Sequence, residues 1–222
     1  MAIARESLPP PGWGLEGSAA SLPEAFPRGQ LSEIVGPRSA GGSSLVTSLL
    51  AHATVAGELV ALVDGSDAFD PAGAAAAGAA LRSLFWVRAG RRLDHACRAA
   101  ELLARSGGFA WVVLDLAADP TPLADRQTAA LHAATWIRLQ RAVRDTPTRL
   151  LVHASRHLAG SAAALVLNVT RGAARWMGAP RPTRLAGIGS RVEVERSRAL
   201  SLDSSQPAPS RRGSAWEIAW RL

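Results

Sequence analysis

The stretch Leu31-Ser32-Glu33-Ile34-Val35-Gly36-Pro37-Arg38-Ser39-Ala40-Gly41-Gly42-Ser43-Ser44 decides the fold. A short apolar strand runs into a glycine-rich turn, and a helical apolar pattern opens at Ser43. Phosphate-binding loops follow G-x-x-x-x-G-K-[ST]; Gly36, Gly41 and Ser43 stand in that register, with Ser44 next, while Gly42 occupies the lysine position. In such loops the backbone amides cradle phosphates, the lysine meets the β- and γ-phosphates, and the hydroxyl holds magnesium. The cradle is retained here and the cation is not.

Working outward, a second nucleotide feature should be an acidic residue closing an apolar strand, where it can organise magnesium and water. Trp111-Val112-Val113-Leu114-Asp115 supplies one. From Pro27 onward apolar strands alternate with helices, the rhythm of a mainly parallel sheet covered on both faces. Strands are predicted over Leu31 to Val35, Leu59 to Asp64, Leu84 to Arg88, Ala110 to Leu114, Leu150 to Ala154 and Ala164 to Val169. Helices are predicted over Ser43 to Thr54, Pro71 to Leu81, Asp94 to Ser106 and about Leu123 to Arg144, with Gly57 and Gly107-Gly108 as stops. After Thr170 the sequence turns irregular; Ser190 to Leu202 then alternates like an exposed strand. Trp216, Ile218 and Trp220 recur at period two, so the last two strands should form an antiparallel extension joined through Ser204 to Gly213. Residues 1–26, rich in Pro, Gly and Ser, read as a flexible arm carrying Trp13, and residues 27–222 as one α/β core domain.

Composition agrees with a single globular α/β domain: 222 residues, 48% apolar, 20 glycines. All 25 basic residues are arginine, so no lysine elsewhere can replace the missing one. The net charge of +7 favours anionic partners, nucleic acid or acidic protein surfaces. The single cysteine, Cys97, leaves no internal disulfide framework and suits a reducing cytoplasm. The start lacks an apolar signal core and no apolar run reaches membrane-spanning length, which predicts a soluble, cytoplasmic protein with no membrane partner.

His95 and Cys97, and His153 and His157, lack the spacing of a four-ligand zinc site, and no metal is expected. No G-x-S-x-G nucleophile elbow occurs. Arg138, Arg141 and Arg144 fall at i, i+3 and i+6 on one helix, either as a solvated face or as a basic ridge for DNA or an acidic partner. Arg149, Arg171, Arg175, Arg181 and Arg184 follow, with Trp176 as a possible stacking group. Trp86, Trp111 and Trp136 read as filling the core or its edge, not as base-binding groups.

These words together resemble the RecA recombinase core. RGQLSEIVGPRSAGGSSL is similar to that family's first strand and phosphate loop, and LVDGSDAFDP to its next strand, ending at Ala68, Phe69, Asp70 and Pro71. ELLARSGGFAWVVLDL resembles the helix and strand that carry the second nucleotide motif. GSRVEVERSR resembles a late strand whose paired basic residues meet nucleotide across a filament joint; these correspond to Arg196 and Arg198. The resemblance implies a RecA-like P-loop NTPase fold.

The departures from that family are as informative. The lysine is Gly42, and the family's water-activating glutamate falls at Ser66, which cannot act as a general base unaided. The glutamine switch aligns with Arg156, the DNA-binding loop is shortened to HLAGSAA, and the N-terminal polymerisation module gives way to the Pro-rich arm. Such losses resemble the ImuA group, RecA-like proteins without the ATPase from bacterial damage-induced mutagenesis cassettes. That resemblance implies a noncatalytic accessory protein of SOS mutagenesis and translesion synthesis that binds ImuB and RecA, meets an error-prone DnaE-type polymerase indirectly, and associates with the nucleoid. No cofactor is expected beyond weak ATP or phosphate binding at the loop, with Asp115 as a degenerate nucleotide residue. Two other readings stay open: a residual ATP- and DNA-binding recombinase-like protein, and a SulA-like cell-division inhibitor acting on FtsZ.

Overall fold

In the computed structural model, the described residues are 17–117, 131–178, 184–198 and 215–221. Eight strands form one sheet: β1 (Leu31–Val35), β2 (Val60–Asp64), β3 (Leu84–Arg88), β4 (Trp111–Asp115), β5 (Arg149–Ala154), β6 (Leu165–Met177), β7 (Arg184–Ser197) and β8 (Ala215–Arg221). Their order across the sheet is β3-β2-β4-β5-β1-β6-β7-β8. The pairs from β3 to β6 are parallel, whereas β6 with β7 and β7 with β8 run antiparallel.

The parallel strands are buried on both faces, so they read as continuous apolar runs instead of alternating ones. Ile34, Leu62, Val113 and Leu151 point to the face covered by α1 (Gly42–Val55). Val35, Val63, Val112 and Val152 point to the other face, covered by α3 (Leu93–Ser106) and α4 (Ala133–Val143). The predicted antiparallel extension is present and completes the first of these layers, where Trp216, Ile218 and Trp220 of β8 are buried.

Helix α2 (Pro71–Ala76) is capped by Asp70, whose carboxylate accepts the Ala72 amide at 2.9 Å, with Pro71 at the first helical position where it lacks no bond. It stops at Ala76, short of the predicted Leu81. Gly78 turns left-handed at φ 97°, and the alanines on either side bury only the small side chains of Ala74 and Ala79, little to hold a longer helix. The α4 pattern predicted from Leu123 is described only from Ala133; its earlier part lies outside the described residues, as do Trp13 and the Ser204 to Gly213 turn.

Two boundaries differ from the sequence reading. The stretch after Thr170 is no irregular segment: β6 continues to Met177 and pairs with β7 out to Arg184, through register shifts between Arg171 and Ala174 and between Arg175 and Trp176. Bulges of this kind erase strict alternation, which is why the strand was not legible. The arm also ends earlier than residue 26. Gly17–Ala25 is a 3-10 helix with Pro23 inside it, and Leu22, Ala25 and Phe26 are buried in the core. Phe26 meets Trp111 edge to face at 5.3 Å, and its carbonyl accepts the Arg149 guanidinium at 3.0 Å. The apolar spacing there is too short for a helix or strand period to reveal it. Residues 1–16 lie outside the described residues.

Candidate functional site: the phosphate loop and its neighbours

The C-terminal ends of the parallel strands come together at the loop between β1 and α1. Ser39 and Gly41 both adopt left-handed backbone, at φ 60° and 100°, and so curl the loop into a concavity of amides. Gly41 caps α1 without a side chain, which leaves the first amides of the helix, at Gly42, Ser43 and Ser44, without an intrahelical acceptor. A cleft of about 250 Å³ opens over them, lined also by Gly36, Pro37, Arg38, Ser39, Ala117 and His153.

Close packing beneath the loop dictates its glycines. A Cβ on Gly36 would overlap the Val169 carbonyl of β6, and one on Gly41 would overlap the Ser190 hydroxyl of β7. Ser190 is fully buried; it donates to the Ala40 carbonyl at 2.6 Å and accepts the Trp220 indole N–H at 2.8 Å. The C-terminal strands thus hold the loop from below through a two-bond chain.

Gly42 has a different neighbour. A Cβ there would stand 2.5 Å from Nε2 of His153, at the end of β5. His153 is 3% exposed, and its Nδ1 lies 3.0 Å from Oδ1 of Asp115 on the adjacent strand β4. The ring cannot swing away from a side chain at residue 42 without giving up that bond. Burial by itself would push the Asp115 carboxyl up; the His153 ring and the Ala117 amide, both on Oδ1, outweigh it and hold the group below 3.8. Asp64, paired in register with Asp115, has both oxygens occupied by the amides of Ser66, Ala68 and Phe69.

Oδ1 of Asp115 is engaged by His153 and the Ala117 amide, while the residue also lines a cavity of about 310 Å³ with Ser43, Ser44 and Thr47; Asp64 is engaged by its own loop. Among the described residues no group of three His, Cys, Asp or Glu side chains could hold a metal ion.

Comparison with known proteins gives the architecture its context. Residues 17–165 match the family described as the RecA N-terminal domain. The chain belongs to that family. The RecA proteins of Borrelia hermsii and Chlorobaculum parvum are 37% and 39% identical to it over 100 residues, which is 45% of this chain and 28% of each of those proteins. The chain therefore spans 28% of the length of these curated relatives. Among solved structures, that of the RadB recombinase superposes with a TM-score of 0.55 at 16% identity, covering 86% of this chain and 87% of that one. This second likeness shows the RecA-like fold, including the mainly parallel sheet and its antiparallel C-terminal strands.

Within the RecA frame, the predicted residues fall in three places. Gly36, Gly41, Gly42, Ser43 and Ser44 line the loop cleft, and Asp115 is beside it, but tied to His153 and not free. Ser66 follows β2 and is buried at 5% exposure. Arg138, Arg141 and Arg144 do not share one helix face: Arg144 follows the end of α4, and Arg138 reaches Glu101 of α3 at 3.6 Å, where Arg98 and Arg105 also converge on the same buried carboxylate. Arg141 and Arg144 remain exposed. Arg198 lies at the end of the sheet away from the loop, since its amide donates to Ala164, which in turn donates to Leu31, whereas Arg196 pairs with Val166 at the level of Glu33 in the middle of β1. Arg196 turns inward and donates to the Gly160 carbonyl, whereas Arg198 is exposed and borders a cavity of about 630 Å³ with Arg28 and Arg144.

His153, Ser190 and Trp220 were missed as site residues. The sequence signal for His153 is its place near the end of an apolar strand, equivalent to that of Asp115 on its own strand. Nothing in the spacing of Ser190 and Trp220 links them to the loop. No helix among the described residues is long and apolar enough to cross a membrane.

Proposed function

We propose that this chain is a noncatalytic RecA-like accessory protein of the DNA-damage response, acting in error-prone translesion synthesis by binding ImuB and RecA. The observation that carries the reading is the contact of His153 with Gly42 and Asp115. It supports loss of ATP hydrolysis beyond a single missing lysine, because the lysine's path and the acidic residue are both engaged by one buried side chain. Ser66, where a water-activating acid would be needed, adds to this.

Binding supplies the function that chemistry does not. RecA protomers associate through heterologous contacts, one face of each meeting a different face of the next. In this chain Arg198 and the loop stand at opposite ends of one sheet, as such contacts require. A protomer that binds through one end without extending the filament limits its growth. The test is capture of purified RecA and ImuB. Binding should survive Ser43→Ala and Asp115→Ala, and weaken in Arg198→Glu and in the Arg196→Glu/Arg198→Glu pair. Arg198 alone is the cleaner probe, since Arg196 also serves the fold. Undiminished capture by both charge-reversal variants removes the proposed surface.

Direct DNA binding is favoured by one observation. The β6–β7 hairpin carries exposed Arg171, Arg175 and Arg184 with Trp176 at 56% exposure, and no acidic residue occurs between Val166 and Val192. A salt titration with single-stranded oligonucleotide decides it, because phosphate contacts give a steep salt dependence.

A further inference from the structure

We propose that the cavity of about 630 Å³ at the end of the sheet away from the phosphate loop receives an acidic segment of a protein partner, whose carboxylates are held by Arg144 and Arg198. The sheet brings its walls together. Gln30 stands just before β1, Gln140 and Arg144 at the end of α4, and Arg198 just after β7, while β1, β6 and β7 are neighbours in the strand order.

The cations of this cavity are unspent. Among the described residues no hydrogen bond or ion pair engages the side chain of Arg144 or of Arg198, and both are exposed. Arg28 lines the cavity as well, but it already donates to the Pro147 carbonyl at 3.1 Å and pairs with Glu58 at 3.3 Å. Asp145 is the one carboxylate among the described lining residues; it is exposed and pairs with neither arginine. Two planar guanidinium forks therefore face a concavity without a counter-charge, and their geometry matches carboxylates two bonds at a time.

The rest of the lining favours a peptide over a nucleic acid. No aromatic side chain among these residues offers a base a face on which to stack. Gln30 and Gln140 are half-buried, and their amides make no hydrogen bond among the described residues. Each presents a donor and an acceptor together, as the C=O and N–H groups of an extended peptide require. The volume is within the range of sites that enclose a small ligand, enough for a side chain with its adjoining backbone. Charge opposes a second copy of this chain as the occupant, because each copy carries +7. An acidic segment presupposes the protein-binding role proposed for the chain, and adds what the partner must present.

The test is fluorescence anisotropy of the full chain with a labelled peptide of alternating Asp and Gly, capped at both ends, at fixed ionic strength. Arg144→Gln and Arg198→Gln should each weaken binding about tenfold, the worth of one charge-assisted hydrogen bond. Arg82→Gln alters an exposed arginine beside β3, at the far edge of the sheet, and should leave binding unchanged. The same peptide with Asn for Asp should not bind. In the wild type the side-chain amide resonances of Gln30 and Gln140 should shift with the same dissociation constant. No binding, no loss in the cavity variants, an equal loss in Arg82→Gln, or unmoved glutamine resonances each overturns the site. Tighter binding of oligothymidylate, with the same losses in the cavity variants, overturns the choice of a protein partner. Failure of the peptide with intact capture of RecA and ImuB removes the cavity alone, whereas peptide binding without that capture removes those partners alone.

Discussion

His153 approaches Asp115 at 3.0 Å through Nδ1 and presents Nε2 to Gly42, so the ends of β4, β5 and the phosphate loop are coupled through one ring. The absence of a side chain at residue 42 is thereby a packing requirement. A lysine restored there would meet a buried imidazole before it reached any phosphate.

Gly42→Lys should therefore destabilise the fold, by about 1–3 kcal/mol as overpacking commonly does, and should not create ATP hydrolysis. Urea unfolding of the single variant and of Gly42→Lys/His153→Ala checks it. Coupling between the two sites, with the second change costing less in the lysine background than alone, is the expected result. Simple additivity would mean that the ring and residue 42 do not meet.

The Asp115 carboxyl, held below 3.8, binds fewer protons in the folded chain than in the unfolded one. Its contribution to stability is present above that ordinary value and is lost as pH falls through the lower folded value. Asp115→Asn should be less stable than the wild type near pH 6, and the gap should close on acidification below 3.8. Thermal unfolding across that range measures it; a gap that does not change with pH speaks against the pairing.

Ser190→Ala strips the partner from two buried groups at once, the Ala40 carbonyl and the Trp220 indole. A loss of about 1–3 kcal/mol is expected, the usual cost of leaving a buried polar group unpaired. Hydrogen exchange should also show the loop amides opening more readily. Unchanged exchange would mean that the C-terminal strands do not hold the loop.

Phe26→Ala should cost about 3–5 kcal/mol, because the ring is 1% exposed and stacks edge-on against Trp111. Chemical denaturation gives the value. A cost near zero would return residues 17–26 to the status of an arm.

Most of the parallel sheet was legible in sequence because strands buried on both faces are unbroken apolar runs, bounded here by Gly57, Gly107 and Asp64. The bulged β6–β7 hairpin was not, since its register shifts break the period on which such a reading depends. The Leu22–Phe26 segment was hidden by its prolines and by a 3-10 geometry with no long apolar repeat. At the site, the Gly36 to Ser44 loop and Asp115 could be read from local spacing. Ser190 and Trp220 could not, because Ser190 is 150 residues from its partner Ala40, and only the folded sheet joins them.

Magnesium-dependent ATP hydrolysis by the purified chain, measured with and without single-stranded DNA, tests the central claim most directly. No turnover above the background of a Ser43→Ala/Asp115→Ala variant is expected. Hydrolysis that is stimulated by DNA and abolished in that variant would contradict it.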